Sequence, residues 1–423
     1  MYQQYQLKNG ARVILAPQHE TQAVTAMVAF SVGSRYETKK INGVSHFLEH
    51  LFFKGTAKRP NTLAISRDLD RYGANYNAYT GKDMTAYYVQ IAAEHLPLAL
   101  DIISDMLFNS LFEAKELERE KNVIVEEINM YEDNPLMYVE DLLEQQIYTS
   151  NTLGWEIAGT RETVRGMTRS ALINYKNHYY RPANMVIGLA GRLPDNVKDQ
   201  IKAYFDRPWQ YQKNKLKTYA PCRLTKQPPR VKIKYKDTEQ AQLAMGFNGL
   251  PYNHRDLPAL NLLNVILGGN MSSRLFISVR ERRGLAYFVR ASTTNYQDTG
   301  NTMIQAGLDK NRLPDAIKVI LAELKKAKAK GVTKKELSDA KDFLRGKLIL
   351  SLEDSGQVAE WYVKQATLTN KIYTPVERLA KYDQVTIADV QRLAKQTFHP
   401  HAISLALIGP FEDGEKFKKL LKL

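Results

Sequence analysis

The chain has 423 residues, of which 60 are Lys or Arg and 45 are Asp or Glu, so its formal net charge is +15. Apolar residues make up 44% and charged residues 25%, which is typical of a globular protein and excludes a disordered one. A single Cys excludes a disulfide scaffold and a multi-cysteine metal site within one chain. Any metal must therefore be bound by His and carboxylate ligands.

The N-terminus predicts no targeting segment. It lacks the basic start and apolar stretch of a secretory signal and the Arg- and Ser-rich character of a transit peptide. No run of about 18 apolar residues occurs, because the longest candidate, 96–108, is interrupted by Asp101 and Asp105. These features predict a cytoplasmic protein with no membrane partner.

An internal duplication is predicted from four landmarks that recur in the same order, roughly 220 residues apart. The pairs are Leu96-Pro97 with Leu313-Pro314, Lys115-Glu116-Leu117 with Lys335-Glu336-Leu337, Thr168 with Thr386, and 180–191 with 398–409. We therefore predict two homologous domains, 1–212 and 231–423. The segment 213–230 between them is rich in Pro and Lys and is predicted to be a linker.

Apolar patterning predicts strands and helices in both halves. In chain order, strands are predicted at 23–30, 86–91, 185–190, 241–247, 302–307 and 403–408, and helices at 43–55, 96–108 and 113–131. Strands and helices interleave without regular βαβ alternation, so the predicted fold class is α+β. Each domain is expected to contain a mixed, mostly antiparallel sheet packed with helices.

Three titratable residues, His46, Glu49 and His50, lie in the apolar helix pattern at 43–55, which Ser45 or Asn42 is expected to cap. At about 100° per residue the two imidazoles lie ~40° apart, so both can reach one metal ion. Glu49 is close enough to hold a water molecule on that metal, and H-x-x-E-H is the signature of inverted zinc peptidases. The alternative is that both His residues are ordinary surface or core residues.

A third ligand is expected from the helix at 113–131, since no further His or Cys cluster stands out. By helical phase, Glu120 and Glu127 border the apolar face, whereas Glu126 points toward solvent. Glu127 is therefore the better ligand, and Glu120, two turns away on the same side, is a candidate for supporting the site. Glu120 alone is equally consistent with a solvated acid at the edge of the helix.

The sequence His46-Phe-Leu-Glu49-His50, followed by Val-Ile-Val-Glu-Glu127-Ile, resembles the pitrilysin, insulinase and mitochondrial processing peptidase family. The resemblance extends over essentially the whole chain and is strongest to the short, two-domain bacterial type. It implies that His46, His50 and Glu127 bind one Zn²⁺ per chain. It also implies that Glu49 is the general base and that Glu120 supports the catalytic site.

The segment Asn75-Tyr-Asn77-Ala78-Tyr79-Thr80 resembles the substrate-binding edge strand of this family. There a peptide adds to the sheet as an extra strand through main-chain hydrogen bonds. The resemblance implies that Asn77, Ala78 and Tyr79 bind substrate, together with Phe47 of the His helix. The alternative for the segment is an ordinary hairpin.

The second half resembles the metal-free domain of the family, since 272–287 matches its Arg/Tyr motif. The resemblance assigns Arg280 and Tyr287 to the polarised carbonyl and the peptide main chain. Without it, Arg280 would be interpreted as a surface charge on a helix. Glu127 and Glu120 correspond to Lys347 and Ala340 in the second half, so no second metal site is expected.

Members of the family fold as clamshells of four such domains around a chamber, and this chain would supply half. The resemblance therefore implies a zinc-dependent endopeptidase for unfolded peptides, acting as a homodimer with composite sites. Each site would combine zinc ligands from one subunit with Arg280 and Tyr287 from the other. Alternatives are one subunit of a hetero-oligomeric processing peptidase and a non-catalytic structural homologue. No nucleic-acid-binding motif accompanies the basic residues, so no nucleic acid is expected as a partner.

Overall fold

The computed structural model describes residues 2–208, 216–224, 229–369 and 371–423. The described residues form two sheets packed with helices, which confirms the predicted α+β class. Part of the predicted linker, 213–215 and 225–228, lies outside the described residues, and 216–224 forms neither helix nor strand. Within these ranges, no helix combines the length and apolar character needed to cross a membrane.

The first half contributes six strands and eight helices in the described ranges. The strands are β1 (Gln3–Gln6), β2 (Arg12–Pro17), β3 (Ala23–Phe30), β4 (Asn75–Thr80), β5 (Thr85–Ala92) and β6 (Met185–Gly191). The helices are α1 (Val44–Phe52), α2 (Thr62–Asp70), α3 (Leu96–Asn109), α4 (Ala114–Asp133), α5 (Pro135–Ile147), α6 (Arg161–Arg165), α7 (Arg169–Tyr179) and α8 (Val197–Phe205).

The second half contributes five strands and seven helices in the described ranges. The strands are β7 (Arg230–Tyr235), β8 (Gln240–Asn248), β9 (Ala286–Asn295), β10 (Gly300–Asp309) and β11 (Ser404–Gly409). The helices are α9 (Leu257–Asn264), α10 (Leu313–Lys330), α11 (Lys334–Ser351), α12 (Ser355–Leu368), α13 (Pro375–Asp383), α14 (Ile387–Thr397) and α15 (Glu415–Lys418). Short π-helical turns at Val265–Gly269 and Phe276–Glu281 follow α9.

The two sheets share one topology. The first has the order β1-β2-β6-β3-β5-β4 and the second the order β7-β11-β8-β10-β9. Strands β2 and β6 pair in parallel, as β7 and β11 do, and the other pairs are antiparallel. Apart from the extra edge strand β1, equivalent strands occupy equivalent places, as the internal duplication predicts.

The central strands β3 and β6 are buried along almost their whole length, which explains their continuous apolar sequences. Helix α12 packs against both strands. It lies so close to β6 that a Cβ atom on Gly188 would stand 2.1 Å from a side-chain carbon of Val363. Gly188 therefore allows a helix from late in the sequence to cover the first sheet.

The chain divides into two compact units that are interleaved in sequence. Unit 1 comprises Met1–Ile128, Trp155–Ala220 and Leu348–Thr374, and unit 2 comprises Asn129–Gly154, Pro221–Lys347 and Pro375–Leu423, each for its described residues. Helix α12 thus belongs to unit 1, whereas α5 packs against β8 and β11 in unit 2. The predicted domains 1–212 and 231–423 describe the repeat in the sequence and stay a prediction. The compact units are divided differently, because each contains segments from both halves of the chain.

Candidate metal centre

Helix α1 holds His46, Glu49 and His50 on one side because its other side is anchored in the core of unit 1. The anchoring side chains are each 0% exposed and comprise Val44, Phe47, Leu48, Leu51 and Phe52. Burial of each large apolar side chain contributes about 1.5–3 kcal/mol, so the rotation of the helix about its axis is fixed. The three polar side chains, by contrast, remain partly exposed.

The first turn of α1 is capped by a residue from outside the helix. The expectation that Ser45 or Asn42 caps it is wrong, since Gly43 occupies the N-cap position with φ 95° and no side chain caps there. Instead, the Glu37 carboxylate accepts hydrogen bonds from the backbone N–H groups of Gly43 (2.7 Å) and Ser45 (2.9 Å). These N–H groups belong to the start of the helix, where intrahelical acceptors are missing.

The ligand atoms of His46, His50 and Glu127 converge. Glu127 Oε2 lies 3.5 Å from His46 Nε2 and 3.4 Å from His50 Nε2. Tetrahedral zinc with bonds of ~2.0–2.1 Å places its ligand atoms ~3.3–3.4 Å apart, so these separations match those of ligands sharing one ion. Among the described residues, this is the one group of three or more His, Cys, Asp or Glu side chains with ligand atoms within 4.8 Å of one another.

Two buried polar atoms in this group have no hydrogen-bond partner within the described ranges. They are Glu127 Oε2 and His46 Nδ1. A buried carboxylate oxygen without a donor is unfavourable, and a cation between Glu127 and the two imidazoles would satisfy it. The side chains present therefore fit a metal ion.

Glu120 orients His50. Its Oε2 atom lies 3.0 Å from His50 Nδ1, and its Oε1 atom lies 2.7 Å from Lys54 Nζ. His50 thus donates its Nδ1–H to a carboxylate and turns Nε2 toward Glu127. Glu120 is 1% exposed, which excludes the alternative of a solvated acid. On the same helix Glu127 is half-buried and Glu126 is exposed, as the helical phase predicts.

The surroundings shift the pKa values of the two imidazoles in opposite directions. Burial lowers the pKa of His46, and the neighbouring His50 lowers it further, so this imidazole is neutral and ready to bind a metal. Burial would also lower the pKa of His50, but the carboxylates of Glu120 and Glu127 outweigh it and raise the pKa to about 9. Mainly because of His50, the pKa of Glu127 falls below its usual range. Metal binding would therefore release a proton from His50.

Glu49 lies beside the end of strand β4. Its Oε2 atom accepts a hydrogen bond of 2.5 Å from the Thr80 hydroxyl, and Thr80 is the last residue of that strand. Burial raises the pKa of Glu49, although the bond from Thr80 and the charge of His50 act in the opposite direction. A raised pKa makes the carboxylate a stronger proton acceptor, which suits a group that accepts and then returns a proton.

Strand β4 forms one edge of the first sheet, where its described pairing partner is β5. Asn77 is exposed, Ala78 is buried and Tyr79 is half-buried, and the Asn77 side chain accepts a hydrogen bond from the Ala78 N–H. The segment is thus both a hairpin strand and an edge open to main-chain pairing. Phe47 lies on the buried face of α1 at 0% exposure, so the structure does not support its expected contact with substrate.

Arg280 and Tyr287 lie close together in unit 2. The guanidinium of Arg280 stands 4.7 Å from the centroid of the Phe276 ring and 5.9 Å from that of Tyr287. Tyr287 is 73% exposed, which is unusual for a large aromatic side chain. Helix α9, which corresponds to α1, carries neither His nor Glu.

Several site residues were missed from the sequence. They are Glu37, which binds the start of α1, Lys54, which pairs with Glu120, and Thr80, which binds Glu49. Sequence position could have pointed to two of them, since Lys54 closely follows the H-x-x-E-H motif and Thr80 ends the segment that resembles a substrate strand. No feature of the sequence pointed to Glu37.

Comparison with known proteins decides the family. Residues 12–161 match the model described as insulinase (peptidase family M16), and residues 166–344 match the peptidase M16 inactive domain. The uncharacterized zinc protease YmxG of Bacillus subtilis is 38% identical over 416 residues, covering 97% of this chain and 98% of that protein. The chain belongs to the insulinase family, peptidase family M16.

Other known proteins are also similar to nearly the whole chain. The uncharacterized zinc protease SCO5738 of Streptomyces coelicolor is 34% identical, covering 96% of this chain and 89% of that protein. A protease from Helicobacter pylori has the same fold, with a TM-score of 0.92 at 23% identity, covering 97% of this chain and all of that one. A chain of Complex III2 from Candida albicans also shares the fold, with a TM-score of 0.86 at 17% identity and full coverage of both chains.

Proposed function

We propose that this M16 family member is a zinc-dependent endopeptidase that hydrolyses unfolded peptides. The observation that carries the proposal is the convergence of His46, His50 and Glu127 beside Glu49, at the end of an open edge strand. The names of the relatives, which are zinc proteases, support zinc as the metal. When bound, zinc would polarise the scissile carbonyl and lower the pKa of a water molecule.

The protein side chains then have distinct tasks. Glu49 accepts a proton from the attacking water and returns it to the leaving amine as the C–N bond breaks. Glu120 keeps the Nδ1–H of His50 in place, so that Nε2 stays directed at the metal. Strand β4 binds the peptide main chain as an added strand, which leads the scissile bond toward Glu49.

We infer further that the active enzyme is a cytoplasmic homodimer with composite sites around a closed chamber. Each site would combine Glu49 and the three zinc ligands of one subunit with Arg280 and Tyr287 of the other. A phenol that is 73% exposed in one chain is available to a neighbouring chain, which supports this assignment. There Tyr287 would donate a hydrogen bond to the developing oxyanion, and Arg280 would hold the peptide main chain.

The alternatives make different predictions. A hetero-oligomeric subunit would require a second, different chain for activity, and a structural homologue would be inactive under all conditions. The presence of both imidazoles, Glu49 and Glu127 in a fitting arrangement argues against a purely structural role.

The test is a digest of an unstructured peptide library by the purified protein, combined with metal analysis. We expect about one zinc per chain and cleavage that a chelator abolishes and added zinc restores. Glu49→Gln should retain zinc and lower kcat by ~10²–10⁴-fold, because the carboxylate no longer accepts the proton. Undiminished cleavage by Glu49→Gln would contradict the role of the base, and a wild-type protein without activity would contradict the function itself.

A further inference from the structure

The turn that follows Thr80 is held by the backbone of residues 33–37. The Ser34 N–H donates to the Gly81 carbonyl and the Arg35 N–H donates to the Lys82 carbonyl, each at 3.1 Å. The approach is so close that a Cβ atom on Gly33 would lie 2.2 Å from the Gly81 oxygen. Only glycine at position 33 therefore permits this contact.

Side chains of the same segment add two buried contacts. Arg35 pairs with Asp83 at 2.9 Å, with the two side chains 0% and 4% exposed. Breaking a buried ion pair by removing one partner is strongly destabilising, so the pair fixes the turn firmly. Glu37 binds the first N–H groups of α1. Residues 33–37 thus hold both the end of β4 and the start of the helix that carries Glu49.

Between these two fixed elements, the Thr80 hydroxyl meets the Glu49 carboxylate. The distance of 2.5 Å is that of a charge-assisted O–H···O⁻ bond, which is stronger than a neutral one. Thr80 is β-branched and therefore stiff about χ1, whereas Glu49 has three rotatable side-chain bonds. The bond thus constrains the flexible partner and engages Oε2, leaving Oε1 to receive a proton.

We propose that Thr80 is a positioning residue of the peptidase reaction. Its hydroxyl sets the orientation of the Glu49 carboxylate, and its place at the end of β4 links that orientation to the strand on which the peptide binds. The proposal rests on the proposed function, because it assigns to Glu49 the role of the base. It adds a connection between substrate binding and the base that runs through one hydrogen bond.

The experiment compares Thr80→Val, which keeps the β-branched shape without the hydroxyl, with Thr80→Ser, which keeps the hydroxyl. Both are assayed with zinc for kcat and KM, and their zinc-loaded crystal structures are compared with the wild type. For Thr80→Val we expect kcat to fall about 10- to 100-fold with KM changed less than about threefold, because the base is misoriented. Zinc content should stay at the wild-type level. Thr80→Ser should keep kcat within about threefold of the wild type, and in the Thr80→Val structure the Glu49 carboxylate should leave its wild-type position.

Each outcome decides the matter. An unchanged kcat in Thr80→Val overturns the proposal, and so does an equal loss in Thr80→Val and Thr80→Ser, which would reveal a packing role. If the wild type cleaves no peptide, the proposed function fails separately, and the crystal structures still decide whether Thr80 holds Glu49. A Glu49 carboxylate that keeps its wild-type position in Thr80→Val would then overturn the positioning role.

Discussion

Glu120 Oε2 lies 3.0 Å from Nδ1 of His50, while Glu127 faces the other ring nitrogen of the same imidazole. Glu120 therefore holds the proton on Nδ1 of His50. Glu127 lies beside Nε2, the ring nitrogen that would bind the metal. Because both glutamates project from α4, the orientation of this single helix sets the ring, its tautomer and the third ligand together.

Replacement of Glu120 by Gln should weaken zinc binding without removing a ligand. The neutral amide loses the charge that stabilises the His50 N–H and leaves Lys54 without its anionic partner. We expect a loss of affinity of about 10- to 100-fold, measured by competition with a chromophoric chelator. Glu116→Gln, one turn earlier on α4 and paired with exposed Arg119, is the matched control and should bind zinc normally. Equal affinities of the two variants would contradict the role of Glu120.

Substitution of the two adjacent glutamates on α4 should affect zinc binding very differently. Glu127→Gln removes a metal ligand and should lower zinc affinity at least ~100-fold, more than the loss of a supporting group does. Glu126→Gln alters an exposed side chain and should leave zinc content unchanged. Atomic absorption on the purified variants measures the difference. Comparable zinc in both would show that Glu127 is not a ligand.

Mixing two inactive variants tests the composite sites. A dimer of one Glu49→Gln chain and one Tyr287→Phe chain has one intact site, so an equal mixture that exchanges freely should recover about a quarter of the wild-type activity. Each parent alone should be nearly inactive. Native mass spectrometry confirms that mixed dimers form. Mixed dimers without activity would mean that both residues act within one chain.

Two glycine substitutions should shift stability in opposite directions. Gly33→Ala places a Cβ atom 2.2 Å from the Gly81 carbonyl oxygen, and the displaced backbone should cost about 1–3 kcal/mol. Gly346 lies inside α11 with no atom within 4 Å of an added Cβ, so Gly346→Ala should stabilise by about 0.5–1 kcal/mol. Denaturant unfolding midpoints give the comparison. An unfolding midpoint of Gly33→Ala equal to that of the wild type would contradict the close contact.

Lys176 should produce a pH-dependent loss of stability. Its side chain is buried, and burial lowers the pKa of the ammonium to about 8. Below pH 8 the folded state must bury a charge, whereas between pH 8 and the unfolded value of about 10.4 the folded state sheds the proton and this penalty fades. Lys176→Met should therefore be more stable than the wild type by up to about 3 kcal/mol at pH 7, with the difference shrinking toward pH 10. A difference that is independent of pH would contradict the buried charge.

Helical periodicity explains how much of the site was predictable. The phase of α4 separates Glu127 from Glu126 because a buried stripe repeats every 3.6 residues, and the observed exposure agrees. The same reasoning failed at the start of α1, since Glu37 replaces a local cap with a contact that has no fixed spacing. Thr80 escaped prediction for the same reason, because its partner lies 31 residues earlier in the chain.

The sequence also did not predict which sheet each of the helices α5 and α12 packs against. Apolar stripes on α5 and α12 show that each helix buries a face, but not which sheet receives it. In the structure α5 packs with the strands of the second half and α12 with those of the first. Small residues such as Gly188 make the close packing possible, yet a glycine in a strand does not indicate which helix packs against it.

The reciprocal placement of α5 and α12 has a consequence for how far the two repeats depend on each other. The two helices hold equivalent positions in the repeats, and each completes the sheet of the other repeat. A solitary repeat would leave its sheet bare on one face and its helix without a groove, but two identical copies would complete each other by swapping an arm. A break in the chain between the two repeats would therefore separate neither compact unit from the other, because each unit contains segments of both repeats.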